Sequence, residues 1–416
     1  MNNDEILHAA LEILPLLPSL LGDDAPRMAS KLRALLNRTT RKPSDKISES
    51  ILTLLTTDER TRVWMEARIS VGSVRKGSGA RPVQPASSAA TDNAMYQVVQ
   101  VMFATDRQPA EHDGRLRMFG GERGGSIAYG TCDVSVPVPP VHLKGRLESP
   151  SWWRLEFRPD RSRHVVLLDV TTLGSSNFFD LANKRSDECL LFVHGYNVTF
   201  ADAARRLGQI TCDLQFTGLP LLYSWPSCGK PFGYTLDEAT IDWTAPHLLT
   251  FLQDLIAKTN VRKVNVVAHS MGSRIVLHAL HYLVQRPPEY ISLNQIVLTA
   301  PDVDAQVFEQ MVPEFLPMAT RVTLYASADD MALVLSRNFH GFRRAGDTKE
   351  GVVIVQGMDS IDVTGADSSF LGHSYFGSVR TIISDLFYLL RGIEAAERSD
   401  LREVLVPAGK YYRYSM

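Results

Sequence analysis

Short apolar segments alternate with amphipathic, helix-like segments through most of the chain after about residue 95. In the second half, several of the apolar segments are nearly continuous, which is typical of strands in a parallel sheet that is buried on both faces. The pattern therefore predicts an open α/β sheet with helices on both faces. The predicted strands are Tyr96–Ala104, His164–Val170, Cys189–Val193, Pro220–Trp225, Lys263–Ala268, Gln295–Thr299, Arg321–Ala326 and Val352–Gln356.

Helices are predicted between these strands from capping residues and from apolar faces. Thr199 precedes a predicted helix over Ala201–Phe216, and leucines share one face of another over Pro246–Lys258. A long final helix is predicted from about Ser378 to Arg398. The strands and helices thus alternate from residue 95 to the end, and we expect one α/β domain over 95–416.

The first 70 residues have a different pattern and predict a small helical unit. Asp24 is placed to cap one helix and Ser44 to cap another. The apolar face of the first carries Met28, Leu32, Leu35 and Leu36, and that of the second carries Ile47, Ile51, Leu54 and Leu55. Residues 71–94 are rich in Gly, Ser, Ala, Pro and Arg, which predicts a flexible linker. Two interpretations of the helical unit stay open: an extension packed on the main domain, or a separate module that contacts a protein partner or a membrane.

Composition and charge argue against a nucleic-acid-binding protein, a metal-binding protein and a secreted protein. With 44% hydrophobic and 22% charged residues and a net charge of -2, the chain gives no electrostatic reason to expect nucleic acid as a partner. Its four cysteines lack metal-ligand spacing, so we expect reduced thiols and no metal: Cys132, Cys189, Cys212 and Cys228. The N-terminus lacks the basic region of a secretory signal, and its apolar stretch is too short to cross a bilayer, which predicts a cytoplasmic location.

One serine stands where a catalytic nucleophile is expected. Ser270 is the centre of the pentapeptide Ala268–Gly272, directly after the apolar run Val264–Val267 and before a helical pattern over Ile275–Val284. A tight turn between a strand and a helix holds such a serine in a strained conformation, and small residues on either side let strand and helix approach. The turn also places the hydroxyl at a helix N-terminus, where backbone N–H groups stabilise a developing oxyanion.

A serine nucleophile needs a histidine base and a carboxylate that orients it. His373 follows the last predicted strand in a turn-like segment and is the favoured base, while His340 precedes that strand and is the alternative. Asp330, after the strand Arg321–Ala326, is the favoured acid, and Asp302 is the runner-up. A structural or surface role is expected for the remaining candidates, His247, His269, His278 and His281.

The second part of an oxyanion hole is expected after an earlier strand. The segment from His194 to Asn197 ends the strand Cys189–Val193, and Gly195 permits close approach of the backbone. The predicted donors are the backbone N–H groups of Tyr196 and Met271, and His194 is expected to hold the loop.

Taken together, these segments resemble the α/β-hydrolase superfamily, and more narrowly a bacterial group of α/β hydrolases of unassigned function. The resemblance covers roughly Tyr96–Arg391 and excludes the helical N-terminus; it is carried by Phe192–Asn197, Tyr223–Pro226, Ala268–Gly272, Ala300–Asp304 and Gly372–Tyr375. Ala268 departs from the glycine of many members. The resemblance implies the chain order serine, acid, histidine, and a serine at the elbow disfavours epoxide hydrolases and dehalogenases, which use aspartate there.

The expected function is therefore a serine hydrolase, esterase-like or lipase-like, which cleaves a small-molecule or lipid carboxylic ester through an acyl-enzyme and needs no cofactor. Two alternatives stay open. One is a phospholipase recruited to membranes by the N-terminal helices, with Cys228–Trp243 as a lid. The other is a hydrolase-fold binding protein without catalysis.

Overall fold

The computed structural model describes residues 25–39, 50–51, 53–55, 95–112, 116–150, 158–228, 234–285, 293–330, 333, 336, 341–365 and 380–415. The chain forms two compact units, an N-terminal unit and a unit that contains the sheet. Along the sequence, the boundary between them falls between Ala90 and Thr91. The predicted linker, 71–94, lies outside the described residues, so its flexibility stays a prediction.

The N-terminal unit contains the helix α1 (Ala25–Thr39) and a second helical segment with residues 50–51 and 53–55. Leu32, Ile51 and Leu55 are fully buried. Burial of these three positions agrees with the amphipathic faces that the sequence predicts. The capping residues Asp24 and Ser44 lie outside the described residues.

The second unit contains one sheet of 11 strands. Its strands in chain order are β1 (Tyr96–His112), β2 (Leu116–Pro137), β3 (Val166–Leu173), β4 (Glu188–Val193), β5 (Leu219–Ser224), β6 (Lys263–His269), β7 (Leu293–Thr299), β8 (Ala319–Ala326), β9 (Asp359–Asp362), β10 (Leu401–Val406) and β11 (Gly409–Tyr414). Their spatial order is β10-β11-β9-β8-β7-β6-β4-β5-β1-β2-β3. The strands from β1 through β5, β4, β6, β7, β8 and β9 to β11 pair in parallel, and antiparallel pairs extend both ends.

Six described helices follow strands of this unit: α2 (Ser175–Asn183), α3 (Phe200–Asp213), α4 (Tyr234–Lys258), α5 (Met271–Gln285), α6 (Ala305–Phe315) and α7 (Arg380–Leu389). Thr199 caps α3 as predicted, since its hydroxyl accepts a hydrogen bond from the Asp202 backbone N–H. No helix within the described ranges is both long and apolar enough to cross a membrane.

Both faces of the sheet are covered, as the continuous apolar runs predict. One core joins alternate residues of the central strands, such as Val193 and Val266, to α4 and α5. The other core joins the intervening residues, such as Phe192 and Val267, to α3 and α7. The carboxyl ends of β4, β6 and β7 therefore lie side by side at one edge of a rigid, doubly covered sheet.

The predicted strand Val352–Gln356 is wrong. This segment is irregular, and the last parallel strand before the final helix is β9, which begins at Asp359. Val353 and Val355 are buried in the core without pairing in the sheet. Gly351 and Gly357 flank the segment with positive φ angles of 109° and 90°, so the backbone turns at both ends instead of extending. Its apolar alternation comes from core packing alone.

The predicted final helix Ser378–Arg398 is also wrong in length. The described helix α7 ends at Leu389, and Gly392, with a φ angle of 80°, follows in the left-handed region that closes helices. The chain then forms the hairpin of β10 and β11, which the sequence pattern did not predict. β2 was missed too, because glycines interrupt its sequence although it is the neighbour of both β1 and β3.

A buried histidine pairs with two carboxylates beside the C-terminal end of α3. His142 Nδ1 lies 2.8 Å from Glu148 Oε2, and its Nε2 lies 2.9 Å from Asp213 Oδ1. The exposed fractions of the three side chains are 4%, 9% and 4%. Burial alone lowers the pKa of His142, but the hydrogen bonds to Asp213 and Glu148 outweigh burial and raise the pKa to about 9.

Because of this cluster, we expect the free energy of unfolding to decrease at alkaline pH. The folded pKa of His142 lies above the ordinary value of about 6.5, so its contribution is complete below about pH 6.5 and is lost as the pH rises through about 9. At pH 6 we expect His142→Gln to have a lower urea midpoint than the wild type, with a free energy of unfolding that is smaller by up to about 3 kcal/mol. The difference should shrink toward pH 10, and a difference that stays constant over this range would contradict the assignment.

Candidate active site

Ser270 occupies the turn between β6 and α5. Its φ angle is 51°, in the left-handed region that residues with a side chain rarely adopt, and 6% of the residue is exposed. Backbone hydrogen bonds hold this conformation: Ser270 N–H donates to Thr299 O at 3.0 Å, and Ser270 O accepts from Ser273 N–H at 3.0 Å and from Asp302 N–H at 3.3 Å. The strained strand–turn–helix geometry that the pentapeptide predicts is therefore present.

The loop after β4 packs directly against this turn. A Cβ atom on Gly272 would lie 2.4 Å from His194 O and 2.6 Å from Val193 O, so only glycine fits there. A Cβ atom on Gly195 would lie 3.0 Å from the Ser270 Cβ. Ala268, the first residue of the pentapeptide Ala268–Gly272, is fully buried, so a small side chain fits at this position. The two glycines thus let the β4 loop and the serine turn lie in contact.

The two predicted oxyanion donors come from these adjoining segments. Met271 is the first residue of α5, where backbone N–H groups point away from the helix and carry its partial positive charge. Tyr196 follows Gly195, the residue that abuts Ser270. Asn197 completes the turn with a φ angle of 57°, a conformation that asparagine tolerates better than most residues.

The two acid candidates have different surroundings. Asp330 follows β8, is 3% exposed, and its Oδ1 accepts a hydrogen bond of 3.2 Å from Leu333 N–H. Asp302 follows β7, and its Oδ1 lies 3.3 Å from Arg344 Nε and accepts a 2.5 Å hydrogen bond from Ser336 Oγ. Asp302 is therefore one half of a buried ion pair.

The loops after β8 and β9 are tied together beside Asp330. Gly365 N–H donates to Asp329 Oδ2 at 2.8 Å, and Ala328 N–H donates to Thr364 Oγ1 at 2.9 Å. The segment that leads from β9 toward His373 thus begins next to the turn that carries Asp330. His373 and His340 themselves lie outside the described residues, so the choice of base stays a prediction.

The sequence of this chain matches the model of a known protein family. The sequence model of an alpha/beta hydrolase family of unknown function, DUF900, matches residues 175–390, which is more than half of the chain. The chain belongs to this α/β-hydrolase family. The matched stretch contains the β4 loop, Ser270, both acid candidates and both histidine candidates, and it leaves out the N-terminal helical unit.

Other similarities of this chain are short or distant. An uncharacterized Nostoc protein, alr1448, is 38% identical over 73 residues, which is 18% of this chain and 19% of that protein. A Lactobacillus plantarum protein described as a cell surface hydrolase shares 13% identity and a TM-score of 0.32, over 50% of this chain and 93% of its own. Phospholipase PlaB from Legionella pneumophila shares 14% identity and a TM-score of 0.22, over 55% and 67% of the two chains. None of these similarities assigns a substrate to this chain.

Four described histidines that are not candidates for the base have acidic or aromatic partners. His247 Nδ1 lies 3.0 Å from Asp106 Oδ2, His281 Nδ1 lies 2.5 Å from Glu314 Oε2, and His278 Nδ1 lies 3.8 Å from Asp242 Oδ1. His194 is stacked on Trp225 with ring centroids 5.3 Å apart. These contacts agree with the structural or surface roles that the sequence predicts for them.

Sequence reasoning missed a buried cation beside the site. Arg107 lies in β1 and is 2% exposed, and it contacts His194 of the β4 loop. The signal was the polar run Thr105–Arg107 directly after the apolar run that ends at Ala104. The parallel pairing of β1 with β5 ends there, and functional groups are common where parallel strands end. Of the described side chains, His142, Cys212 and Asp213 have donor atoms close enough for a metal ion, but His142 and Asp213 are already ion-paired.

Proposed function

We propose that this α/β hydrolase is a serine esterase that cleaves carboxylic esters through an acyl-enzyme. Ser270 is the nucleophile, His373 the general base and acid, and Asp330 the carboxylate that orients the histidine. The backbone N–H groups of Tyr196 and Met271 form the oxyanion hole.

One observation carries this proposal: Ser270 is held in the left-handed region, at the N-terminus of α5 and in contact with the Gly195 loop. Strain of this kind costs about 1–3 kcal/mol, and such cost is concentrated at functional sites. A purely structural turn at this point has no need of a residue with a side chain, since glycine adopts the conformation without strain.

The proposed reaction follows from these positions. His373 takes the Ser270 proton as Oγ attacks the ester carbonyl, and the negative oxygen of the tetrahedral intermediate accepts hydrogen bonds from Tyr196 and Met271. The intermediate collapses, and the leaving alcohol takes the proton from His373. Water then gives a proton to His373 and attacks the acyl-enzyme carbonyl. The second tetrahedral intermediate collapses, the bond between the acyl carbon and Ser270 Oγ breaks, and His373 returns the proton to Oγ as the carboxylic acid leaves.

The surroundings of the carboxylates support Asp330 as the acid. Asp302 already neutralises the buried charge of Arg344, so use of this carboxylate by a histidine would compete with that ion pair. Asp330 follows β8, two strands along the sheet from the serine strand, and its turn is tied to the loop that leads toward His373.

The choice of base is tested with a matched pair of variants. We expect the wild type to hydrolyse p-nitrophenyl esters, and His373→Ala to lower kcat by roughly 10³-fold or more. His340→Ala should retain kcat within about threefold. A series of acyl chains from acetate to dodecanoate, measured with the wild type, then identifies the preferred substrate length.

The reverse result, loss of activity in His340→Ala only, would move the base to the earlier histidine and contradict the assignment of His373. A wild type that hydrolyses none of these esters and is not modified by a fluorophosphonate would favour a binding protein built on a hydrolase fold.

A further inference from the structure

The guanidinium of Arg107 is bonded through every nitrogen. Its Nε donates to Ser224 Oγ at 2.9 Å, and its Nη1 donates to Gly120 O at 2.8 Å and Ser227 O at 3.1 Å. Its Nη2 donates to Val198 O at 2.7 Å and lies 3.2 Å from His194 Nε2. A buried arginine with this many partners has one fixed position.

The two Nη2 contacts join both ends of the proposed oxyanion loop. His194 precedes Gly195, Tyr196 and Asn197, and Val198 follows them. Two further bonds fix the same ends, since Trp225 Nε1–H donates to His194 O at 2.7 Å and Val198 N–H donates to Ser227 Oγ at 3.3 Å. The loop is therefore anchored at its ends.

The contact with Arg107 also sets the tautomer of His194. An arginine can only donate, so His194 Nε2 is the acceptor and the ring proton is on Nδ1. Nδ1 lies 2.9 Å from Gly195 O and donates to it. Burial, followed by the charge of Arg107, lowers the pKa of His194 well below its ordinary value, so the ring stays neutral.

The Gly195 carbonyl shares a peptide group with the Tyr196 N–H. This peptide bond is trans, because the cis bond in the described chain is Pro139–Pro140. In a planar trans peptide the C=O and N–H bonds point in opposite directions. A bond from His194 Nδ1 that fixes Gly195 O thereby fixes the direction of the Tyr196 N–H.

We propose that Arg107 is a positioning residue for ester hydrolysis, which aims the Tyr196 N–H at the oxyanion through His194 and the Gly195 carbonyl. The inference rests on the proposed function of Ser270 and adds a relay that starts one strand beyond β5. Burial lowers the pKa of Arg107 to about 10, so the relay stays charged at neutral pH. Neither Arg107 nor His194 exchanges a proton with the substrate.

Kinetics of four variants test the relay. We expect Arg107→Met and His194→Ala to lower kcat by about 10²–10³-fold, as for loss of one oxyanion donor, with KM within about threefold of the wild type. His194→Asn should recover at least about tenfold over His194→Ala, because its amide retains a donor near the position of Nδ1. Arg398→Met removes an equally buried arginine, which pairs with Asp385 at 2.7 Å, and should keep the wild-type kcat.

A second measurement tests the relay without activity. In protein labelled with ¹⁵N-histidine, the His194 resonances, assigned from their absence in His194→Asn, should show a proton on Nδ1, an acceptor Nε2 and no titration from pH 5 to 9. A proton on Nε2 would overturn the relay, as would wild-type kcat in folded Arg107→Met and His194→Ala. If the wild type hydrolyses no ester, the proposed function fails, and the ¹⁵N spectrum still decides whether the relay exists.

Discussion

Replacement of Ser270 by alanine should remove ester hydrolysis. The change deletes the proposed nucleophile, and we expect kcat for p-nitrophenyl esters to fall by at least about 10³-fold, to a residual rate that the oxyanion donors alone supply. Stability should not fall with it, because alanine adds no atom to the turn, although it does not relieve the left-handed strain. Steady-state kinetics and thermal unfolding of the full chain measure both effects.

A matched control for this variant lies one turn further along α5. Ser273 is fully buried, and its Oγ accepts or donates no hydrogen bond among the residues that the structure describes. Ser273→Ala should therefore keep the wild-type kcat and equal or exceed the wild type in stability. Hydrolysis that persists in Ser270→Ala, with KM unchanged, would remove the serine from the reaction.

Asparagine at the two acid positions should have opposite effects. Asp330→Asn leaves a neutral amide that cannot stabilise the imidazolium of His373, and we expect kcat to fall by about 10³–10⁴-fold with a small change in stability. Asp302→Asn leaves Arg344 buried without its carboxylate, so we expect a loss of roughly 3 kcal/mol in the free energy of unfolding and kcat within about tenfold of the wild type.

Each variant is measured for kcat and for its urea midpoint, which separates the two roles. A large loss of kcat in Asp302→Asn together with wild-type kcat in Asp330→Asn would assign the acid to the strand β7 and contradict our choice. Since asparagine preserves side-chain volume, packing changes contribute little to either result.

The central strands could be predicted from the sequence because both of their faces are buried. Every residue of β5 is buried and β4 is nearly so, and such runs have no polar face to blur the signal. The peripheral strands lack this property. β10 exposes Leu405 by 76%, and β2 contains paired glycines, so neither sequence follows a strand pattern. Val353 and Val355 produce a false strand pattern, because they belong to an irregular segment whose side chains are nevertheless buried in the core.

In the candidate site, features formed by contiguous residues could be predicted from the sequence, and contacts between residues far apart in the chain could not. The serine turn could be predicted because strand, small residues and helix are contiguous in the chain. The ion pair of Asp302 with Arg344 and the contact of Arg107 with His194 could not, because 42 and 87 positions separate the partners. Only the packing of β1, β4 and β5 side by side brings Arg107 to the loop.

Covalent labelling of the folded full chain tests the central claim most directly. After incubation with a fluorophosphonate, digestion and mass spectrometry should find the adduct on the peptide that contains Ser270. We expect labelling to be absent in Ser270→Ala and at least about 10²-fold slower in His373→Ala, because the hydroxyl then lacks its base. An unmodified Ser270 in a wild-type protein that still hydrolyses esters, or an adduct on another residue, would contradict the account.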